Sequence, residues 1–311
     1  MFEKRERTRT RAITDIVPEL ARRFLIAPAP PSRLPTIRDL AREHRSSVAS
    51  IHAAMGRLEG SRAIQVQTRG RLGAFLMGRS VGRLWTTAEG GPLVISLPLT
   101  SSPRYEALAT AIKQILVRAG VEVFLIFVRG SRQRLQAVRE GRCHLAAMSS
   151  FAAAELCGSD DGVVLELPPN SYNTGHRVFY SAANPDPHPV RVIVDPHSAD
   201  QQLLTALEFT GSDVVLVPAM GAQITRLLEV GQADAAVWTI DEMEVRRPVG
   251  ILDRPLRPEV RGAIGDRDTK AALVGRAAMA PMLSAVTALI DGVEVARVQA
   301  DVMSGRIVPE Y

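Results

Sequence analysis

Two segments of this chain repeat one grammar. EGRCHLAAMSS at 140–150 and VGQADAAVWTI at 230–240 each run Gly, two residues, a polar residue, then a small apolar strand ending in Ser or Thr. A strand and an amphipathic helix precede each, with FLIFV as the strand in the first and VVLVP in the second, so both halves of the region after Pro92 contain a βαβ unit. We read the echo as a duplication rather than a coincidence of common βαβ grammar. The strands LVISLPL, VEVFLIFV and HLAAMS alternate with helices over 104–119 and 131–141. Parallel strands joined this way need helices on both faces, which points to two α/β lobes with a cleft between them over residues 92–311.

The N-terminal quarter is different material. Residues 1–80 hold 16 basic and 7 acidic side chains, whereas the remainder holds 22 and 26, so the net charge of +5 originates entirely in the first part. Ile13, Ile16, Val17, Leu20, Phe24 and Leu25 keep helical spacing, with the regular part expected to start near Pro18, and APAPPSRLP stops it. A short helix over Ile37 to Glu43 comes next. Ser47 then caps a third helix whose buried stripe is Val48, Ile51, Ala54, Met55 and Leu58, ending at Gly60. Ile64 and Val66 alternate with polar residues, Arg69-Gly70 turns the chain, and Leu72, Ala74 and Leu76 begin a returning strand. Three helices and a β-hairpin make a winged helix-turn-helix over residues 1–78. GRSVGRLWTTAEGG at 78–91 is aperiodic and glycine-bearing, so residues 79–91 are expected to be a linker.

A helix that reads double-stranded DNA needs a small, polar outer face, with arginines beside it to neutralise phosphates. Ser46, Ser47, Ala49, Ser50, His52 and Ala53 lie off the apolar stripe of the third helix. Thr36 and Arg38 precede it, and Arg45, Arg57, Arg62, Arg69 and Arg71 surround it. One such arginine would merely solvate a surface; the concentration of charge together with the motif points to an operator. The expected DNA contacts are Thr36, Arg38, Arg45, Ser46, Ser47, Ser50, His52, Arg57, Arg69 and Arg71.

LPTIRDLA and the helix ending AMGRLE resemble the GntR-type winged helix, whose usual form is LPSERELA followed by a recognition helix ending ALRRLE. That family usually has Gly and Arg where this chain has Arg45 and Val48, and a second Arg where it has His52, so no base preference is transferred. The wing TRGRLGAFL is similar to the RGHLGTF wing of YhfZ-type regulators. The likeness continues through LPLTSSPRYEALAT, FVRGSRQRL, VDPHSADQQLLT, GQADAAVWTID and the terminal VMSGRIVPEY, in order and at similar spacing. The resemblance implies an α+β winged helix-turn-helix joined to an α/β two-lobed type 2 periplasmic-binding-like domain, acting as a transcription factor with a small-molecule effector.

In two-lobed α/β folds, ligands sit beyond the C-terminal ends of strands, where helix N-termini present N–H groups. That rule selects Ser101, Ser102, Tyr105, Arg129, Ser149 and Ser150 in one half, and Asp195, Ser198, Trp238 and Asp241 in the other, with Tyr172 and His176 on the segment between. Hydroxyls with one arginine suit a carboxylate or phosphate, with Trp238 or Tyr172 as a wall. Each residue has a plainer reading: helix cap for the serines and Asp195, a surface pair with Glu122 or Glu140 for Arg129, core for Trp238, a simple hydrogen bond for His176.

Catalysis has little support. GxSxG, HExxH, Walker and GxGxxG patterns are absent, the six histidines lack metal-ligand spacing, and Cys143 and His144 are strand neighbours pointing to opposite faces. No catalytic residue, metal or cofactor is therefore expected. The rival is an enzyme, which would show a perturbed His or carboxylate beside the ligand, where a sensor would show hydroxyls, amides and Arg129. An effector-blind DNA-binding dimer would instead fill its cleft with its own side chains. Cys143 and Cys157 form neither a disulfide framework nor a CxxC site, the start has no apolar h-region, and no stretch reaches the ~20 apolar residues of a membrane span. A cytoplasmic homodimer without membrane contact is the expectation, since two-fold operators call for paired readers.

Overall fold

A computed structural model of the chain describes residues 13–184, 187–245 and 247–311. The described residues divide into two compact units, 13–93 with 116–123, and those of 94–115 with 124–311.

The first unit opens with α1 (Ile13–Leu25), which contains Pro18 instead of starting at it. The lost backbone hydrogen bond is outweighed by the burial of Ile16, Leu20, Ala21, Phe24 and Leu25, while the side chain of Ile13 lies outside the described residues. After β1 (Ser32–Arg33) come α2 (Ile37–Glu43), capped by Thr36, and α3 (Val48–Gly60), capped by Ser47. Ile51, Ala54, Met55 and Leu58 face inward, but Val48, expected in the same stripe, is 50% exposed in the first turn. β2 (Ile64–Thr68) and β3 (Ala74–Arg79) form the antiparallel wing, with β1 on the free side of β3. Leu72 does not begin the return strand: it sits in the turn, 65% exposed.

Where an irregular linker was expected, the chain forms α4 (Val81–Glu89). Ser80 caps its start and Gly90, in the left-handed region at φ 78°, ends it. Leu84, Trp85 and Ala88 are buried at helical spacing, and α4 packs along α1. Gly82, which reads as a breaker, is there for close approach. A Cβ at that position would lie 1.8 Å from the Gly120 carbonyl oxygen, within the same compact unit.

The alternation then runs β4 (Leu93–Leu97), α5 (Pro103–Arg118), β5 (Val123–Phe127), α6 (Ser131–Arg139), β6 (Leu145–Ser149), α7 (Ser150–Leu156) and β7 (Asp161–Glu166). It continues with β8 (His176–Ser181), β9 (Val190–Val194), α8 (Ala199–Glu208), β10 (Val214–Pro218), α9 (Ile224–Glu229), β11 (Ala235–Thr239), α10 (Ile240–Val245), β12 (Ile251–Pro255) and α11 (Pro258–Ile264). β13 (Ala271–Arg276), α12 (Ala280–Thr287) and α13 (Gly292–Met303) complete the chain. Two five-stranded sheets result, ordered β5-β4-β6-β13-β7 and β10-β9-β11-β8-β12. They correspond strand for strand. The echoed segments occupy β6 and β11, the central strand of each, and β13 and β8 are each antiparallel to both their neighbours.

The chain thus crosses between lobes twice, before β8 and before β13. Each sheet is buried on both faces. In the second lobe Val178, Val192 and Val237 enter one core, while their neighbours Phe179, Ile193 and Ala236 enter the other.

Candidate functional site

The DNA-facing candidates divide into capping residues and exposed ones. Thr36 Oγ1 accepts the Asp39 N–H at 3.2 Å and donates to the Asp39 carboxylate at 2.7 Å, which holds that carboxyl below its usual value. Ser47 Oγ accepts the Ser50 N–H at 2.9 Å, and the two hydroxyls lie 2.8 Å apart. Ser46 is half-buried with its hydroxyl unpartnered. The outer row of α3 is Val48, Ala49, His52 and Gly56, all exposed. Arg38, Arg45, Arg57 and Arg71 are also exposed, and none pairs with a carboxylate among the described residues. Arg45 takes up the left-handed backbone at φ 50° in the turn before α3. Arg69 is braced on the wing, its guanidinium 4.9 Å from the Phe75 ring centre and its Nε donating to Gln67 at 3.1 Å. Other arginines of this unit serve the fold instead: Arg22 with Glu89, Arg23 with Glu43, and Arg79 with the Phe24 carbonyl.

In the second unit a cavity of about 350 Å³ lies between the two lobes. Ser101, Tyr105, Arg129, Tyr172, His176, Asp195, Ser198 and Trp238 line it; Ser102, Ser149, Ser150 and Asp241 do not. Ser102 supports the first turn of α5 by accepting the Tyr105 N–H at 3.4 Å. Ser149 caps α7 and donates to Asp200 from behind the wall. Ser150 donates to Glu166 at 2.6 Å. Asp241 receives Arg104 at 2.7 Å and both the N–H and hydroxyl of Thr174. Ser198 lines the cavity and also caps α8.

The cavity also brings in Asn173 and Thr239, which adjoin the selected Tyr172 and Trp238 in the chain, and Arg134, Asp200, Gln201 and Glu242, which the strand-end rule does not select. A signal existed for Glu242: it stands three residues after Thr239 at the start of α10, and the Thr239 hydroxyl bonds its carboxylate at 3.0 Å. Asp200 reads as a helix-start acid, and nothing in SRQRLQAVR marks Arg134 as the residue that turns inward.

The charges of the cavity are arranged unevenly. Arg134, 3% exposed, donates to the carbonyls of Ala147 at 2.7 Å and Val128 at 2.9 Å and to the Tyr172 hydroxyl at 2.9 Å. Arg129 reaches neither Glu122 nor Glu140; its Nε lies 3.9 Å from Asp195, which already accepts the N–H groups of His197 and Gly221 at 2.9 and 3.0 Å. Among the described residues Asp200 is bonded by the Ser149 hydroxyl, and Glu242 by the hydroxyls of Ser101 and Thr239. Burial pushes both carboxyls above their usual range. Tyr172 is pushed to about 12 by burial, and Tyr105 also rises. His176 Nδ1 lies 2.8 Å from buried Asp268; burial works to raise that carboxyl, but His176 and Arg261 hold it at about 2. Three carboxylates, Asp195, Asp200 and Glu242, therefore face two arginines, one of which is turned to two carbonyls and a phenol of the protein itself.

Residues 32–76 match a helix-turn-helix domain family and residues 81–311 the YhfZ C-terminal domain family. The chain is 30% identical over 290 residues to the uncharacterized protein YhfZ of Escherichia coli (strain K12), covering 93% of this chain and 94% of that one. The crystal structure of YhfZ from Shigella flexneri matches at 26% identity and a TM-score of 0.61, over 74% of this chain and 98% of that one. The periplasmic aliphatic sulphonate binding protein SsuA from Escherichia coli matches more distantly, at 18% identity and a TM-score of 0.49, over 69% of this chain and 75% of that one. The fold is an N-terminal helix-turn-helix domain followed by a two-lobed α/β domain of the YhfZ C-terminal family, the composition of a DNA-binding regulator. Among the described residues no single helix is long and apolar enough to cross a membrane. On these matches, the chain belongs to the YhfZ family.

Proposed function

We propose that this protein is a cytoplasmic transcriptional regulator in which the winged helix binds an operator as a homodimer and the interlobe cavity binds a small effector. The observation that carries the reading is the outer row of α3, exposed and built from small residues and His52, with Arg45, Arg57 and Arg71 exposed and without carboxylate partners among the described residues. Such a surface leaves its cations available to phosphates, and its low side-chain bulk suits insertion in a major groove. Effector binding then alters how the two readers present themselves, with a coupling of ~1–3 kcal/mol on operator affinity. Titrating the full chain into fluorescein-labelled DNA from upstream of its own gene, at several salt concentrations, tests the reading. Anisotropy rising with a steep salt dependence is expected; a folded protein that gives no salt-dependent response on any upstream fragment overturns it.

One observation favours the enzyme reading as a second choice. His176 bonded to Asp268, on a cavity that also presents Asp200 and Glu242, is the kind of grouping that general acid–base chemistry uses. No activated nucleophile accompanies it among the described residues: Cys143 is buried with its thiol pushed up to about 11, and Cys157 lies outside the lining. Turnover of a bound metabolite that ceases in Asp268→Asn and His176→Gln would favour the enzyme. The cavity is not filled by its own side chains, which weighs against an effector-blind dimer.

A further inference from the structure

Asp200 and Glu242 present an unusual pair of carboxylates. They stand on different helices of the second lobe, α8 and α10, and both face the cavity. Asp200 is buried and Glu242 half-buried. Of the other buried carboxylates among the described residues, Asp195 has Arg129 at 3.9 Å and four have a cation in direct contact. Asp161 has Arg139 at 2.6 Å, Asp234 has Arg191 at 2.7 Å, Glu208 has Arg254 at 2.5 Å, and Asp268 has Arg261 at 2.9 Å. Among the described residues, Asp200 and Glu242 have none. Among the described residues their donors are neutral hydroxyls, Ser149 for Asp200, and Ser101 and Thr239 for Glu242.

Arg134 commits three of its five N–H donors to two carbonyls and a phenol, and its charge, like that of His176, acts on Asp200 without a direct contact. Arg129 sits beside Asp195. A protein that buries charge ordinarily pairs it, because an unpaired carboxylate loses its hydration without compensation. Here the charges of His176, Arg134 and Arg129 act only at a distance, and a direct partner is left to whatever enters the cavity.

A second observation points the same way. Asn173 lines the cavity and is 1% exposed; its Oδ1 accepts the Gly175 N–H at 2.8 Å, while its Nδ2 donates to nothing. That is a buried donor awaiting an acceptor. The walls complete the picture, since Tyr105 and Tyr172, with ring centres 5.2 Å apart, and Trp238 offer aromatic faces, which attract cations.

We infer that the effector of this cavity is a small molecule bearing a protonated amine, seated against Asp200 and Glu242, with a hydroxyl or carbonyl-type acceptor turned to Asn173. An ammonium brings three donors and a full positive charge to a site short of both. A phosphate or an unaccompanied carboxylate would have to displace Arg129 from Asp195 and would still face the other two acids. The inference rests on the sensing reading above and deepens it.

The test screens the full chain by thermal shift against matched triplets, in which butyl, cyclohexyl and benzyl skeletons each bear an amine, a hydroxyl or a carboxylate, with inorganic phosphate added to the set. Calorimetry follows on the hits. Amines should raise the Tm more than the matched alcohols, and carboxylates and phosphate should not raise it. Asp200→Asn and Glu242→Gln keep the shape and the hydroxyl bonds but remove the charge. Each should weaken amine binding at least tenfold while melting no lower than the parent in the absence of ligand. Carboxylates or phosphate stabilising the protein while amines match the alcohols overturns this inference and leaves the sensing reading standing. If no member of any class stabilises the chain, both fall. Should either variant fail to fold, the charge preference of the unsubstituted chain decides alone.

Discussion

The outer side of α3 and the interior of the cavity use the same residue types for opposite ends. Around α3, Arg38, Arg45, Arg57 and Arg71 stand in water without carboxylate partners among the described residues, so their charge is available to an external polyanion. In the cavity, Arg134 is locked by three bonds and serves as a frame, while the exposed chemistry is acidic. A cation is therefore available to a ligand where it is solvated and unpaired, and a structural group where it is buried and bonded to the protein's own carbonyls and hydroxyls. Counting arginines per segment does not distinguish the two.

The largest effect that would sharpen this contrast is on Arg134. Arg134→Leu strands two buried carbonyls and the Tyr172 hydroxyl, so urea unfolding should show a loss of about 3 kcal/mol. Arg57→Leu, on the exposed side, should stay within about 0.5 kcal/mol of the parent. Equal losses at the two positions would break the comparison.

Acid titration is the next test. The folded-state value of Asp268, about 2, lies below the ordinary Asp value of about 3.9, so its contribution is present above that ordinary value and is lost as the pH falls toward 2. The contribution is roughly 2 kcal/mol, and Asp268→Asn should flatten the acid limb of a stability-versus-pH curve. Asp200 and Glu242 act in the reverse sense: their raised values favour the folded state at low pH, and that advantage disappears as the pH rises through them. Asp200→Asn and Glu242→Gln should therefore steepen the acid limb, opposite to Asp268→Asn.

Smaller effects belong to the DNA face. The triple variant Arg45→Ala, Arg57→Ala, Arg71→Ala should leave unfolding within about 0.5 kcal/mol of the parent. It should reduce the slope of log affinity against log salt by about 2 to 3 if each arginine contacts one phosphate. An unchanged slope would remove these residues from the interface. Gly56 sits mid-helix on the outer row with open space around its Cβ direction, so Gly56→Ala should stabilise the fold by about 0.5–1 kcal/mol. A simultaneous fall in operator affinity, measured by anisotropy, would place this row against the bases.

Much of the first unit was legible because its signals are local. The Ser47 cap, the Ile51, Ala54, Met55 and Leu58 stripe and the hairpin turn all act within a few residues. α4 was not, although Leu84, Trp85 and Ala88 keep a helical period. Its nine residues contain Gly82, and the reason for that glycine, the approach of Gly120, lies far along the chain. In the cavity, strand ends pointed correctly to the neighbourhood but not to its members. Ser102, Ser149 and Ser150 prove to be supports behind the wall, while Asp200 and Glu242 form part of it.

What the chain's own order of residues determined was periodicity, capping and the two-fold echo of βαβ units, since these depend on interactions within a turn or a single supersecondary unit. Which charges are left unsatisfied was decided only by tertiary structure. Ser149 and Asp200 meet across 51 residues, His176 and Asp268 across 92, and Ser101 and Glu242 across 141. A buried group's partner, and hence its role, is set by distance in space, and sequence spacing has no means of encoding that directly.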